Sequence, residues 1–259
     1  MKKMICALFF FTLLLPTQGL AREKLVVASY GGVFDEAFMD GVVRRFEKTY
    51  DVDVVLDPSY RSVKLIAEQG KPSVDLMVID DDRIIQFDKM GLLIKLDLEK
   101  IPNHKDLFPK AIDKTGCGIM IDWGCLGLTY RKDMIKTPPT SWNDLWDPKY
   151  TGKVALTPLT GAAGVQLLTM AGYLNGAKLE NGRLDNMDKA WEKISELAKN
   201  SLAVAMNTPQ VTDMLTRGDI WMVAWWDGRA LALEDALKKA GTDVIGFVRP
   251  KEGAFTTIN

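Results

Sequence analysis

A chain of 259 residues with 33 basic and 34 acidic side chains carries a net charge of −1, with 47% apolar residues and 9% aromatics. That balance excludes a surface basic enough for nucleic acid. The length suffices for a sizeable core, either as one large domain or as two lobes.

The chain opens on a targeting pattern. Lys2 and Lys3 form a basic end, residues 4–15 are apolar, and Gly19-Leu20-Ala21 places small residues at a cleavage point. The apolar run is too short to span a bilayer, so residues 1–21 read as a signal peptide cleaved after Ala21. Cys6 lies inside the apolar run and not at the cleavage point, so no lipid attachment is expected. Loss of Lys2 and Lys3 takes the net charge from −1 to −3. No second apolar run is long enough to cross a membrane.

Residues 24–29 (KLVVAS) predict a strand ending at Tyr30-Gly31-Gly32. Phe34, Phe38, Val42, Val43 and Phe46 then recur at helical spacing, with Arg44, Arg45 and Glu47 outside. Residues 52–56 alternate Val with Asp as a strand does, 63–69 suit a short helix, and 74–79 (VDLMVI) read as a buried strand stopped by Asp80-Asp81-Asp82. A helix over 83–90 follows and ends at Gly91. Strand-helix-strand-helix-strand is the pattern of an α/β fold with an open parallel sheet and helices on both faces. Ligands of such sheets sit beyond the carboxyl ends of the strands, where the Tyr30 and Asp80 loops fall.

Farther along, 118–123 and 125–130 are apolar stretches separated by Gly124, and could leave one lobe and enter another. Residues 136–148 read as a surface loop with a short helix over 142–145 capped by Ser141. A strand over 153–156, helices over 165–174, 188–198, 210–217 and 229–240, and a strand over 244–248 complete the pattern.

Trp225-Trp226-Asp227-Gly228-Arg229 is the most informative run. It follows the apolar residues 220–224, a strand bounded by Gly218 and Gly228. Adjacent indoles on a strand point to opposite faces, so one is expected in the core and the other in a cleft beside Asp227. An aromatic plate next to an acid suits a cation or a flat small molecule. Asp80, Asp81 and Asp82 carry two readings, a helix start with Asp82 as cap or a place for a hard cation, and both can hold for different members. Tyr30, Gly31 and Gly32 form a tight turn that also lets a ligand approach the helix amides; no GxGxxG is present. Trp123 either packs in the core or lines the cleft, whereas Trp142, Trp146, Trp191 and Trp221 read as packing. His104, the one histidine, falls in a polar loop and is expected at the surface, which leaves no nucleophilic triad. Cys117 and Cys125 read as free thiols, because an extended 118–123 would hold them ~25 Å apart at ~3.3 Å per residue.

These phrases together resemble the extracellular solute-binding proteins of ABC importers, specifically the spermidine/putrescine-binding family. The resemblance runs from about Lys24 to the end. It is carried by Asp75-Leu76-Met77-Val78, Gly91-Leu92-Leu93, Ile101-Pro102-Asn103, Trp123-Gly124, residues 139–150 (PTSWNDLWDPKY), Trp226-Asp227-Gly228 and residues 250–254 (PKEGA). It implies a two-lobed type II periplasmic binding protein fold, with lobes over 22–123 and 124–254 and a return crossover begun by 255–259. It also implies further helices past the last strand, so the chain reads as C-terminally shortened.

The same resemblance implies a noncovalent binder, periplasmic and expected as a monomer. It would take a small polar, amine-containing solute such as putrescine or spermidine and deliver it to an inner-membrane ABC permease, without cofactor or catalysis. The implied contacts are Tyr30, Asp80, Asp82 and Trp226; Gly31, Gly32, Asp81, Trp123 and Asp227 join them from the residue readings above. Trp226 falls where a tryptophan packs on the ligand's methylene chain, and Asn259 falls where an acid receives an ammonium. The loop Thr160-Gly161-Ala162-Ala163 lacks the acids that polyamine binders carry near that point, and Thr257 replaces an aromatic. Rival readings are a metal-ion transport protein of the same fold using the Asp triplet, and an exported hydrolase using paired carboxylates.

Overall fold

The computed structural model describes residues 22–60, 62–69, 71–180 and 182–258, so the expected leader and Asn259 lie outside the described residues. The chain forms two compact units. The first holds the described residues up to Lys64 together with Lys71–Met77, and the second holds the rest.

In the first unit, β1 (Glu23–Ala28), β2 (Val52–Asp57) and β3 (Leu76–Met77) make a parallel sheet in the order β2-β1-β3. The β-branched run of β1 lies in register with that of β2, Val26 facing Val55. Between them the chain climbs α1 (Val33–Phe38), passes a π-helical turn at Met39–Val43 and continues as α2 (Arg44–Tyr50). Regular helical spacing would bury Val42 and Phe46, yet both are exposed and Val43 alone is buried in that stretch. A π turn spends an extra residue, which rotates the apolar stripe by about one residue's worth of helix. The third strand is shorter than residues 74–79 led one to expect. Asp75 supplies the reason: its carboxylate accepts the Val26 N–H at 2.7 Å, taking a bond that a longer ladder would make through the backbone.

The helix α3 (Ser62–Glu68) passes from the first unit into the second, where α4 (Asp81–Lys89) follows. Then come β4 (Trp123–Arg131), β5 (Val154–Leu156), α5 (Ala162–Leu174), the hairpin β6 (Leu179–Glu180) and β7 (Arg183–Leu184), α6 (Met187–Asn200), β8 (Ala203–Val204), α7 (Thr208–Arg217), β9 (Met222–Trp226), α8 (Asp227–Lys239), β10 (Ile245–Val248) and β11 (Thr256–Ile258). The sheet order is β10-β4-β9-β5-β8, with β11 added to β4. The parallel sheet expected from residues 24–91 is the one found in the first unit; the second sheet differs. β4 runs antiparallel to β9, β10 and β11, whereas β5 is parallel to β8 and β9, so the sheet is mixed.

Strand alternation divides the core in two. Met222 and Ala224 of β9 face a cluster with Trp142, Leu167 and Ile194; Val223 and Trp225 face a second cluster with Val211, Leu215 and Leu233. Helices therefore cover both faces, α5 and α6 on one and α7 and α8 on the other. Two further readings are corrected. β4 passes straight through Gly124. Residues 118–122 form no strand, apart from an isolated bridge between Ile119 and Ile112.

The segment expected as a surface loop keeps exposed residues at 136–138 but is anchored in the core through its short capped turn. Trp142 is 0% exposed, its indole N–H donates to the Gly253 carbonyl at 2.7 Å, and Ser141 caps the 3₁₀ turn Trp142–Trp146 in a capping box with Asp144. Glu252 completes the clamp by accepting from the Ser141 hydroxyl and from the Trp142 N–H at 3.2 Å. Two stretches that carried the family resemblance, 139–150 and 250–254, thus hold one another.

Candidate ligand-binding site

The corner between β9 and α8 separates its two indoles as the sequence predicts. Trp225 is buried within one core cluster, while Trp226 is half-buried and touches both. The Trp226 ring lies against the backbone of Gly124. A Cβ at that position would stand 3.3 Å from its Cε3, so only glycine admits the indole without a shift of neighbours. Trp123, one residue earlier on β4, is 75% exposed, which removes the core reading for it. Asp227 turns inward as a clamp. Its Oδ1 accepts from the N–H of Cys125 at 3.0 Å and from that of Gly228 at 2.8 Å, and its Oδ2 lies 3.5 Å from the Arg249 guanidinium. The carboxylate ties β4 to the start of α8 and orients Trp226 beside it.

The aspartate triplet begins α4, but the cap position belongs to Asp80, and Asp81 and Asp82 occupy the first turn. That corrects the assignment of Asp82 as cap. The Asp80 carbonyl accepts the Arg83 N–H at 3.0 Å, and Asp81 Oδ1 accepts the Asp82 N–H at 3.1 Å. Burial of the Asp81 carboxyl, and after it the adjacent Asp82 charge, raise its pKa above the ordinary value. Sequence reasoning passed over the next residue. Arg83 reaches away from α4, donating from Nη2 to the Thr160 carbonyl at 3.1 Å and from Nη1 to Gln86 Oε1 at 3.0 Å. The available signal was a lone basic residue directly after three acids.

In the first unit, Gly31 and Gly32 both adopt positive φ, 76° and 59°, which explains the paired glycines after β1. Asp35 of α1 closes this turn. It accepts from the Gly31 N–H at 2.9 Å and from the Ser29 hydroxyl at 2.8 Å. Tyr30 meets Phe34 edge-on at 5.3 Å between centroids, and Phe34 stacks on Phe38 at 5.7 Å. The turn's amide and its acid are thus partnered locally.

Elsewhere, His104 is half-buried in the 3₁₀ turn Pro102–Asp106, with Nδ1 2.7 Å from the Ile101 carbonyl, not in an open loop. Cys117 and Cys125 are free thiols; Cys125 is buried and Cys117 half-buried, 3.5 Å from Asp88. Trp146 packs on the core with its indole N–H on the Lys193 carbonyl, and Trp221 packs likewise. Trp191, expected as packing, is 48% exposed. Among the described residues no group of three or more His, Cys, Asp or Glu could hold a metal ion. No helix among them is long and apolar enough to cross a membrane.

The bacterial extracellular solute-binding protein family matches residues 41–259. A spermidine/putrescine-binding periplasmic protein of Escherichia coli K12 is 25% identical over 223 residues, which cover 82% of this chain and 61% of that protein. A norspermidine sensor of Vibrio cholerae is 25% identical over 166 residues, covering 61% of this chain and 44% of the sensor. The solved structure of an ABC transporter substrate-binding protein from Bradyrhizobium japonicum matches at a TM-score of 0.73 and 21% identity, over 92% of this chain and 71% of that one. The fold is thus that of the periplasmic binding proteins, and the chain spans about 61% of the length of the E. coli protein. With the family matching most of its length, this chain belongs to the bacterial extracellular solute-binding proteins, which hold a solute and do not transform it.

Proposed function

We propose that the chain is the periplasmic solute-binding component of an ABC importer, and that it captures a small, polar, amine-containing molecule without altering it. The observation that carries this reading is the Trp226 corner. A half-buried indole is packed against Gly124, beside a strand that begins with the exposed Trp123. An indole fixed in this way offers apolar area at little entropic cost, and its face attracts a cation. Asp80, Asp81 and Asp82 at the start of α4 are the proposed partners of the amine, and Asp227 orients Trp226 while bound to its own neighbours. Tyr30, Gly31, Gly32 and Asn259 are proposed on their sequence positions alone.

The polyamine-binding names of the relatives support an amine, and the lack of acids in 160–163 argues for a ligand other than a polyamine. We also propose lobes over 22–123 and 124–254, with 255–259 as a return crossing. The pairing of Trp123 with Ile258 at the start of β4 supports that division. The partner would be an inner-membrane permease, met by a monomer.

The test is a ligand panel read by tryptophan fluorescence and melting temperature, with polyamines, amino acids, other organic cations and divalent metals. Saturable quenching with a rise in melting temperature for amines, and no product formed, is the expected result. Stabilisation by metals alone would favour the metal-transport reading, and product formation the hydrolase.

A further inference from the structure

The geometry points to a solute that carries an acidic group as well as an amine, with Arg83 as the residue that receives the acid. This rests on the solute-binding reading above and narrows its ligand to a zwitterion.

Arg83 is 35% exposed at its side chain and is held by two neutral acceptors, Gln86 Oε1 and the Thr160 carbonyl. Its nearest carboxylate among the described residues is that of Asp82, 4.0 Å from Nε and outside hydrogen-bond range. A guanidinium has five N–H donors in a planar fork made for carboxylates and phosphates, and two of them are spent here. The charge is therefore fixed in place without a bidentate acid.

Its surroundings favour the same sign of ligand. Residues 157–165 (TPLTGAAGV) contain no acid, and α5 begins at Ala162 with no side-chain cap and no acid in its first turn. Gly164 pins that loop to the helix: a Cβ there would stand 2.1 Å from the Pro158 carbonyl oxygen, so the backbone lies directly on the first turn of α5. The contact of Arg83 with Thr160 places the cation beside this start. On the same connection Thr157, 9% exposed, keeps a hydroxyl oxygen with no hydrogen-bond partner. A second ammonium group brought to the Thr160 side of this corner would meet a fixed cation whose nearest acid, Asp82, lies 4.0 Å away on the Nε side. A carboxylate or phosphonate would meet the unspent guanidinium donors. Asp81 and Asp82, the two residues before Arg83 in the first turn of α4, supply the opposite sign for the amine.

The experiment uses chain-matched pairs on the whole chain: 4-aminobutanoate against putrescine, and 5-aminopentanoate against cadaverine, by calorimetric titration. The expected result is binding of the ω-amino acids and at least tenfold weaker binding of the diamines. Arg83→Gln should weaken the amino acids by about 10- to 100-fold, the range of a lost charge-assisted contact, and leave the melting temperature of the free protein unchanged. Arg83→Lys should recover part of the loss, since it restores the charge without the fork. Diamines binding as well as the amino acids, or an unchanged affinity in Arg83→Gln, would overturn the assignment of an acidic group while leaving the amine reading intact. Silence of both sets would overturn the amine reading and this inference with it.

Discussion

Two corners of the second unit, both tied by hydrogen bonds between distant stretches, end in different states. At the first, Ser141, Trp142, Asp144 and Glu252 close on one another. Asp144 Oδ2 accepts from the N–H groups of Thr140 and Ser141 at 2.8 and 3.0 Å, Glu252 takes Ser141 and Trp142, and Lys251 N–H returns to the Thr140 carbonyl at 2.9 Å. At the second, between α4 and α5, a guanidinium keeps donors unspent and the Thr157 hydroxyl is unpartnered. A buried corner with its polar groups paired contributes stability, whereas one that leaves charge and hydrogen-bond capacity over has specificity to offer a ligand. Mutations at the two should separate into melting effects and binding effects.

The largest expected effect is at the first corner. Trp142→Ala removes a fully buried indole and orphans the Gly253 carbonyl, so a loss of about 3–5 kcal/mol is expected. Urea unfolding of the variant measures it. A loss under ~1 kcal/mol would show that the 250–254 stretch holds without its anchor. Glu252→Ala should cost less, about 1–3 kcal/mol, because it leaves the Ser141 hydroxyl and the Trp142 N–H to find other acceptors. Neither change touches a proposed ligand contact, so in whatever fraction stays folded the affinity should be unchanged.

How far these corners could be read from sequence differs for a physical reason. Helix spacing and strand alternation are local, and they located α5 to α8, β1, β2 and β9 to within a few residues. The separation of Trp225 from Trp226 followed from strand geometry alone. What failed depended on distant partners. The brevity of β3 depends on where the Asp75 carboxylate lands. Trp142 was read as packing, but what anchors the loop around it was hidden, because its acceptor, Gly253, lies far along the chain. The partner of Arg83 was hidden for the same reason: its contact with Thr160 joins two segments that no periodicity relates. Trp191 fitted the apolar stripe of α6, but that face extends past the core and leaves the indole half-covered.

Trp226 and Trp191 give the intermediate effect. Trp226→Ala should weaken solute binding by about tenfold or more, the loss of an aromatic contact worth roughly 1–2 kcal/mol, with some loss of melting temperature from its packing on both clusters. Trp191→Ala should leave affinity unchanged and cost little stability, since the ring is already 48% exposed. Titration of both variants with the same solute decides the matter. Equal affinity losses would remove Trp226 from the site.

The smallest effect concerns pH and sets Arg131 against Arg83. Arg131, at the end of β4, is buried and donates to the carbonyls of Leu215 and Thr216 at 2.8 and 2.9 Å while its fork grips Asp133. The hydrogen bonds from Arg131 hold the Asp133 carboxyl below its ordinary value of 3.8. A carboxylate depressed in the folded state adds stability above its unfolded pKa and loses it as pH falls through the folded one. Stability should therefore decline from about pH 4 downward, and Asp133→Asn should flatten part of that slope. With Asp133 about a third exposed the change stays under about 1 kcal/mol. Arg131 spends its charge on a carboxylate supplied by its own chain, so Asp133→Asn should alter the acid limb of stability and leave solute affinity at neutral pH untouched. Arg83 makes no hydrogen bond to a carboxylate among the described residues, Asp82 standing 4.0 Å from its Nε, so Arg83→Gln should show the reverse: little change in the acid limb and a loss of solute affinity. If both variants shifted the same measurement, the distinction between a structural and a ligand-facing arginine in this unit would not stand.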